Sequence, residues 1–502
     1  MVLTKENNGP YYILMAMVIT SLICFFSQGI SGNDFWWHVK TGEWMVNNMS
    51  LPETDIFSWY ARENNIEWSS HEWLYQVLIY LLHHYTGDLG VVIFSLSSAI
   101  LMTLLIMHRN RDAIKNNILL STLFFFPMSM QMKIMFFGRP HVISFFLIFL
   151  TLHCLYKLRE DENSSLIFLM PFLACFWVNL HGGSSSLSYI LCFIALFSGL
   201  FDFSFGKLES RRFSQKQLFK YSCAACLSIV AMLINPYGVD MLVYPYANMG
   251  DKFMQEMIVE WSAPDAKVLA QLIFYYLTFF LVGTTLIVTD RKIRLLDLLV
   301  FGFFSYMFLR SLRFVFLFYM SATFYIFYYF MPAQANHKNE WKSPEKSVFL
   351  GFMVIMVVIS MGGIAAIKKT AAEGNLIKKA LGDEFVELIK QEKPARLFND
   401  YGFGETLIYN GIETFVDARA DLFSPYNLRD SRSLTYLRNI GSSDKTDIFD
   451  PEAVIASYSL DAFIIQPNTP LASYLRGKPD NYAVLLQDAH AVYFKKMSHD
   501  QH

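Results

Sequence analysis

Asp34 and His38 stand four residues apart, a spacing that puts both side chains on one face of a helix. A carboxylate and an imidazole so placed can pass a proton or share a divalent cation, Mg or Mn. His71 and Glu72 follow in the same polar stretch and offer the same chemistry. Further along, compact motifs hold Arg139 and His141 (Gly138-Arg-Pro-His), His181 (Asn179-Leu-His-Gly-Gly183), Glu260 (Glu-Trp-Ser-Ala-Pro), and Arg310 with Arg313 (Arg-Ser-Leu-Arg). Guanidinium groups give bidentate, charge-assisted bonds to phosphate, so these arginines and histidines suit a phosphate-bearing ligand. Glu260 and the trio Asp417, Arg419 and Asp421 suit acceptor binding or the docking of one domain on another. Each has a plainer reading. Asp34 could cap a surface helix, the histidines could bond backbone at span ends, the arginines could snorkel, and the trio could be a solvated salt-bridge group.

The elements that must position these residues follow from composition. The 502 residues are 54% hydrophobic and 17% charged, against roughly 45–50% and about 25% in soluble domains. Apolar runs recur up to Ile367 at 11–31, 89–107, 117–136, 141–156, 164–180, 186–203, 221–235, 268–289, 295–309, 314–331 and 347–367. They imply an α-helical polytopic membrane protein of about eleven spans. Residues 368–502 lack such runs and read as a soluble α/β domain, with strands at Ala395–Asn399, Thr414–Asp417, Ala462–Gln466, Ala483–Leu486 and Ala491–Phe494 and a helix at Pro451–Tyr458. Residues 1–367 then form the transmembrane domain, with its first outer loop at 32–88 carrying surface helices. Within it, His71–Tyr85 is too short and too polar at both ends for a span and reads as an interfacial helix.

Basic residues crowd alternate connections: Arg109, Arg111 and Lys115, then Lys207, Arg211 and Arg212, then Arg291, Lys292 and Arg294, then Lys338, Lys342 and Lys346. By the positive-inside rule these face the cytoplasm, so the N-terminus is inside and the C-terminal domain extracytoplasmic. The chemistry-bearing motifs then all lie at the outer face. The six cysteines fall in apolar runs, leaving neither a disulfide framework nor a zinc pattern. The net charge of −2 is uninformative, and no basic stripe suggests nucleic acid as a partner.

Taken as a set, Asp34-Phe-Trp-Trp-His38, Leu51-Pro-Glu-Thr-Asp55, His71-Glu-Trp-Leu74, Arg139-Pro-His141, Trp177-Val-Asn-Leu-His-Gly-Gly183, Asn235-Pro-Tyr-Gly238, Asn399-Asp-Tyr-Gly402 and Phe415-Val-Asp-Ala-Arg-Ala-Asp421 resemble the GT-C superfamily of polyprenyl-phosphate-dependent glycosyltransferases, in its bacterial multi-pass branch. The resemblance implies a catalytic carboxylate early in the first outer loop, matched here by Asp34, and a polyprenyl-phosphate sugar donor. The acceptor would be a glycan, lipid or protein of the cell envelope, and the location the bacterial inner or plasma membrane. The Trp-Trp-Asp-Tyr-Gly signature of oligosaccharyltransferases is absent. Two other classes stay open: a transporter or flippase of lipid-linked sugars, and a non-catalytic subunit of an envelope-polysaccharide assembly complex. No internal repeat supports the former.

Overall fold

The computed structural model describes residues 8–27, 30–31, 34–116, 118–268, 275–330, 346–374, 376–424, 426–440 and 449–497. Lys338, Lys342, Gly32, Asn33 and part of the run 268–289 lie outside them. The helices used below are α1 (Gly9–Phe26), α2 (Phe35–Asn48), α3 (Trp73–Arg109), α4 (His141–Glu160), α5 (Met170–Leu180), α6 (Leu295–Arg310), α7 (Val315–Phe330) and α8 (Lys346–Ala372). The strands are β1 (Leu397–Asn399), β2 (Ala462–Ile465), β3 (Tyr482–Gln487) and β4 (Val492–Lys496). The chain divides into two compact units. One is Met1–Ile30, Thr86–Gly250 and Gln255–Leu376; the other is Ser31–Tyr85, Asp251–Met254 and Ile377–His502. The early loop, assigned to the membrane part on linear order, is therefore grouped with the C-terminal segment.

The first unit is predominantly helical, and helices lie under the apolar runs. Among the described residues, four are long and apolar enough to cross a membrane: Trp73–Arg109, His141–Glu160, Leu312–Tyr329 and Leu350–Ala372. Shorter apolar helices cover Tyr11–Phe26, Leu166–Leu180, Gly182–Ser198 and Leu277–Val288. Local sequence sets their ends. Pro171 opens α5, where its missing N–H costs nothing, and a Ser214–Gln217 capping box starts Gln215–Met232. α8 packs on α1 through Thr20 and Ser360, whose hydroxyls are 2.9 Å apart. Gly363 faces Ile23 so closely that a Cβ would meet its side chain at 2.7 Å, the small-residue contact by which apolar helices approach. Outward, α8 exposes Leu350, Val354, Val358 and Met361, as a lipid-facing helix does.

α3 differs from its sequence expectation. The interfacial helix ending at Tyr85 and the span beginning at 89 are one 37-residue run, interrupted at Gly87 (φ 63°, ψ −168°). A residue without Cβ adopts that backbone readily, so the break falls where the two segments meet.

The second unit is built on a four-stranded sheet of order β1-β2-β4-β3. β1 and β2 are parallel, β4 is antiparallel to both β2 and β3, and the β3–β4 register shifts between Val484 and Leu486. Phe385, Val386 and Ile389 of the amphipathic helix Asp383–Glu392 cover it, packing on Leu397, Ile464 and Tyr493. Each such side chain gains about 1.5–3 kcal/mol from burial. Thr414–Asp417, expected as a strand, makes only a single parallel bridge, Thr414 with Ser58. Its backbone is held by side chains instead: Asn399 accepts from Phe415 N–H at 2.7 Å and donates to the Val416 carbonyl at 2.7 Å. The early loop completes this unit. Trp59 donates its indole N–H to the Leu397 carbonyl at 3.0 Å and stacks on Phe415 at 5.4 Å.

Candidate functional site

In the second unit, Asp34 occupies the N-cap position of α2, half-buried, yet its carboxylate does not cap the helix. One turn on, His38 is buried with its Nε2 3.5 Å from Glu72. His71 approaches the other oxygen of Glu72 at 3.3 Å. Glu72 thus lies between two imidazoles, with His38 fixed against the rings of Trp37 and Tyr75. Among the described residues no set of three or more His, Cys, Asp or Glu is arranged to hold a metal ion.

The C-terminal motifs fold toward Asp34. The Tyr401 phenol is half-buried; burial first, then the charges of Asp34 and Asp417, push it well above its ordinary value. It stays neutral and donates to the Ala418 carbonyl at 3.0 Å. Asp34, Asp417, Asp421 and Tyr401 therefore share one electrostatic environment.

Of the trio read as acceptor binding, docking or a solvated group, Asp417 and Arg419 are deeply buried. Arg419 makes a bidentate fork to Asp417, at 2.8 and 2.6 Å, and a third bond to Asp55. Its plane covers Trp68 at 4.6 Å and Phe57 at 5.1 Å. Arg419 and Asp417 spend their polar atoms on each other and on Asp55, which in turn accepts from the Ser58 N–H at 2.9 Å. The carboxylates outweigh the cost of burial and push the guanidinium above its ordinary value. The geometry is a clamp between residues 55–58 and 414–419, and it rules out the solvated group. Asp421, half-buried, stands outside this clamp. Sequence reading missed Asp55 as a partner, because nothing local marks a carboxylate that bonds a residue 364 positions away.

The first unit holds a second cluster. Gly138, at φ 59°, makes the turn that lets Arg139-Pro140 lead into α4 at His141. α5 ends at Leu180, and His181 takes extended backbone before the short helix Gly182–Ser185. After α6, Ser311 bonds the Glu260 carbonyl at 2.9 Å, and Leu312 N–H the Ser262 carbonyl at 2.9 Å. These turns assemble one network. Arg139 pairs with Glu260 at 2.8 Å, and Arg313 Nε donates to His141 Nε2 at 2.9 Å. The His141 and His181 rings meet edge-on at 4.6 Å. His181 Nδ1 lies 2.7 Å from Ser144 Oγ and 2.8 Å from Ser184 Oγ, and the Trp177 indole N–H donates to both hydroxyls.

A guanidinium only donates, so in this contact His141 Nε2 is the acceptor. Burial raises the Glu260 carboxyl, but Arg139 and then Arg313 outweigh it and hold it below the usual range. Two guanidiniums against one carboxylate leave the network cationic. Of the six residues read from sequence, Arg139, His141, His181, Glu260 and Arg313 are brought together, whereas Arg310 is exposed at the end of α6 outside the network. Ser144 and Ser184 were missed; each sits three residues after a histidine, the helical spacing that could have found them.

No protein-family model matches the sequence, and no curated protein matches it. Among solved structures, the chain is similar to the archaeal oligosaccharyltransferase AglB from Archaeoglobus fulgidus in complex with an inhibitory peptide and a dolichol-phosphate, with a TM-score of 0.50 and 9% identity over 91% of this chain and 69% of that one. The apo form of the Archaeoglobus fulgidus oligosaccharyltransferase gives a TM-score of 0.48 and 10% identity over 93% and 70%. The likeness is one of fold.

Proposed function

We propose that this membrane protein transfers a sugar from a polyprenyl-phosphate-linked donor to an extracytoplasmic acceptor of the cell envelope. The observation that carries the proposal is the cationic network of Arg139, Arg313, His141 and His181 at one end of the helical unit. In the reaction, an acceptor hydroxyl or amide attacks the anomeric carbon. The carbon–oxygen bond to phosphate breaks, its electron pair leaves with the polyprenyl phosphate, and the acceptor proton passes to a base. Charge grows on the departing phosphate, where guanidinium donors stabilise it most in a dry site. Glu260 would release Arg139 to the phosphate. Asp34 is the base in this reading, as the carboxylate at the head of α2 in the first loop, and Glu72 with His38 and His71 fixes the start of α2 behind it. A Mg or Mn ion at Asp34 and His38 is a subsidiary reading. Likewise, Asp421 rather than the clamped Asp417 and Arg419 is the group that would meet an acceptor.

The test is glycosyl transfer by the purified full chain in liposomes supplied with polyprenyl-phosphate-linked sugars. Asp34→Asn keeps size while removing the charge, and should lower turnover by about two orders of magnitude or more with donor binding little changed. If a chelator reproduces that defect, the ion is real. Unchanged product formation in Asp34→Asn refutes the assignment of the base. A wild type that consumes no lipid-linked sugar refutes the transferase, and the assembly-subunit reading replaces it.

A further inference from the structure

The end of the helical unit opposite the cationic network carries a second polar assembly, which the proposed reaction does not use. Tyr156 lies on α4 about 22 Å along the axis from His141 at 1.5 Å per residue. Its hydroxyl donates to Asp297 at 2.7 Å, Tyr329 donates to the same carboxylate at 2.6 Å, and Arg294 Nε at 2.6 Å. Asp297 therefore has three donors and holds Arg294 in place. Beside this group opens a cavity of about 290 Å³. Leu152, Val300 and Phe301 form its apolar wall, and Arg109, Asp112 and Glu160 join Arg294 on its polar side.

The charges restrict what fits. Arg294 and Asp297 neutralise each other. At the mouth Arg109 stands with the exposed Glu160 and Asp112, the latter 3.7 Å from Lys115, so both signs are present. A simple anion would meet two carboxylates, and a simple cation would meet Arg109. A group carrying a phosphate diester beside a primary ammonium satisfies both: the guanidinium donates to phosphate oxygens, and the carboxylates accept from the ammonium. A quaternary ammonium fits worse. It has no N–H to donate, and the two tyrosine faces in the lining are already covered, Tyr156 by Arg109 at 5.5 Å and Tyr328 by Arg294 at 4.2 Å.

We infer that this cavity, lined by Arg109, Glu160 and the Arg294–Asp297 pair, binds a phosphoethanolamine headgroup. The apolar wall beyond the polar mouth favours a lipid carrying that headgroup over a soluble ester. A site of this kind would tie the helix ends of α3, α4 and α6 to the adjacent leaflet, independently of any transferase activity.

The full chain in detergent can be titrated with dihexanoyl-phosphatidylethanolamine, dihexanoyl-phosphatidylcholine and dihexanoyl-phosphatidylglycerol, with binding read by native mass spectrometry. The ethanolamine lipid should bind about ten-fold tighter than the other two. Glu160→Gln, exposed at the end of α4, should erase most of that preference, and Arg109→Gln should weaken all phosphodiester binding at this site. Arg313→Gln should leave the preference unchanged, which separates this cavity from the cationic network. Glycerophosphoethanolamine separates the sources: competition by it makes the headgroup alone sufficient, and failure to compete makes the acyl chain part of the ligand, both in keeping with the site. Equal binding of the three lipids overturns the inference. So does an ethanolamine preference that survives Glu160→Gln or disappears in Arg313→Gln.

Discussion

Arg419→Met is the substitution whose cost the structure defines most directly. Methionine keeps much of the aliphatic stem against Trp68 and Phe57 but removes a cation whose side chain is 1% exposed. It leaves Asp55 and Asp417, whose side chains are fully enclosed, facing each other without a counter-charge. Removing one partner of a buried ion set costs about 3–5 kcal/mol, far more than an exposed pair at about 0–1 kcal/mol. For a unit of 150–250 residues each kcal/mol moves the melting temperature by about 2–4 °C, so a fall of roughly 6–20 °C is expected. The assay is a thermal melt of the detergent-purified chain, with hydrogen exchange at residues 55–60 and 414–423 to locate the loss. Arg419→Met with Asp55→Asn and Asp417→Asn removes all three charges and should recover part of the deficit, since the penalty comes from stranded charge. A single variant melting within about 1 °C of wild type, with unchanged exchange in both segments, refutes the clamp.

Glu260 gives a pH-dependent prediction. Its carboxyl is held below the usual range by Arg139 and Arg313 against the opposing effect of burial, so its contribution is present above its unfolded value and lost as pH falls through the lower folded one. Glu260→Gln should therefore melt below wild type at neutral pH and converge with it below about pH 4; a gap that persists at acid pH contradicts the assignment. Orientation is open to thiol labelling of intact cells in a cysteine-free background. A membrane-impermeant reagent should reach Ser457→Cys and fail to reach Ser204→Cys, both exposed positions, and the reverse pattern inverts the topology.

What sequence revealed, and what it hid, follows the range of the interactions. Gly138-Arg-Pro-His141 and the residues around His181 were legible because glycine and proline mark helix ends, and polar groups at those ends are unusual enough to notice. The ladder of β1, β2 and β4 was legible from apolar runs bounded by turns. Thr414–Asp417 misled, because β-branched and aromatic residues suit a strand, whereas here Asn399 and Ser58 hold the backbone. The pairing of His38 with Glu72 depends on α2 packing beside the start of α3, and the grip of Arg419 on Asp55 on a fold that closes across most of the chain. No periodicity carries either.

That closure bears on how the molecule is made. Trp59 bonds a carbonyl 338 residues downstream, and Asp55 waits for an arginine 364 residues downstream. At about 5–20 residues per second, a ribosome needs roughly 20–70 s to bridge that interval. Throughout it the tryptophan-rich loop exists without the sheet that will cover Trp59 and without the cation that will neutralise Asp55. Loop-closure entropy over such separations makes late, slow assembly the rule. A truncated chain ending before Leu397 leaves both residues unmatched, so loss of the C-terminal segment during synthesis would strand an apolar loop made tens of seconds earlier.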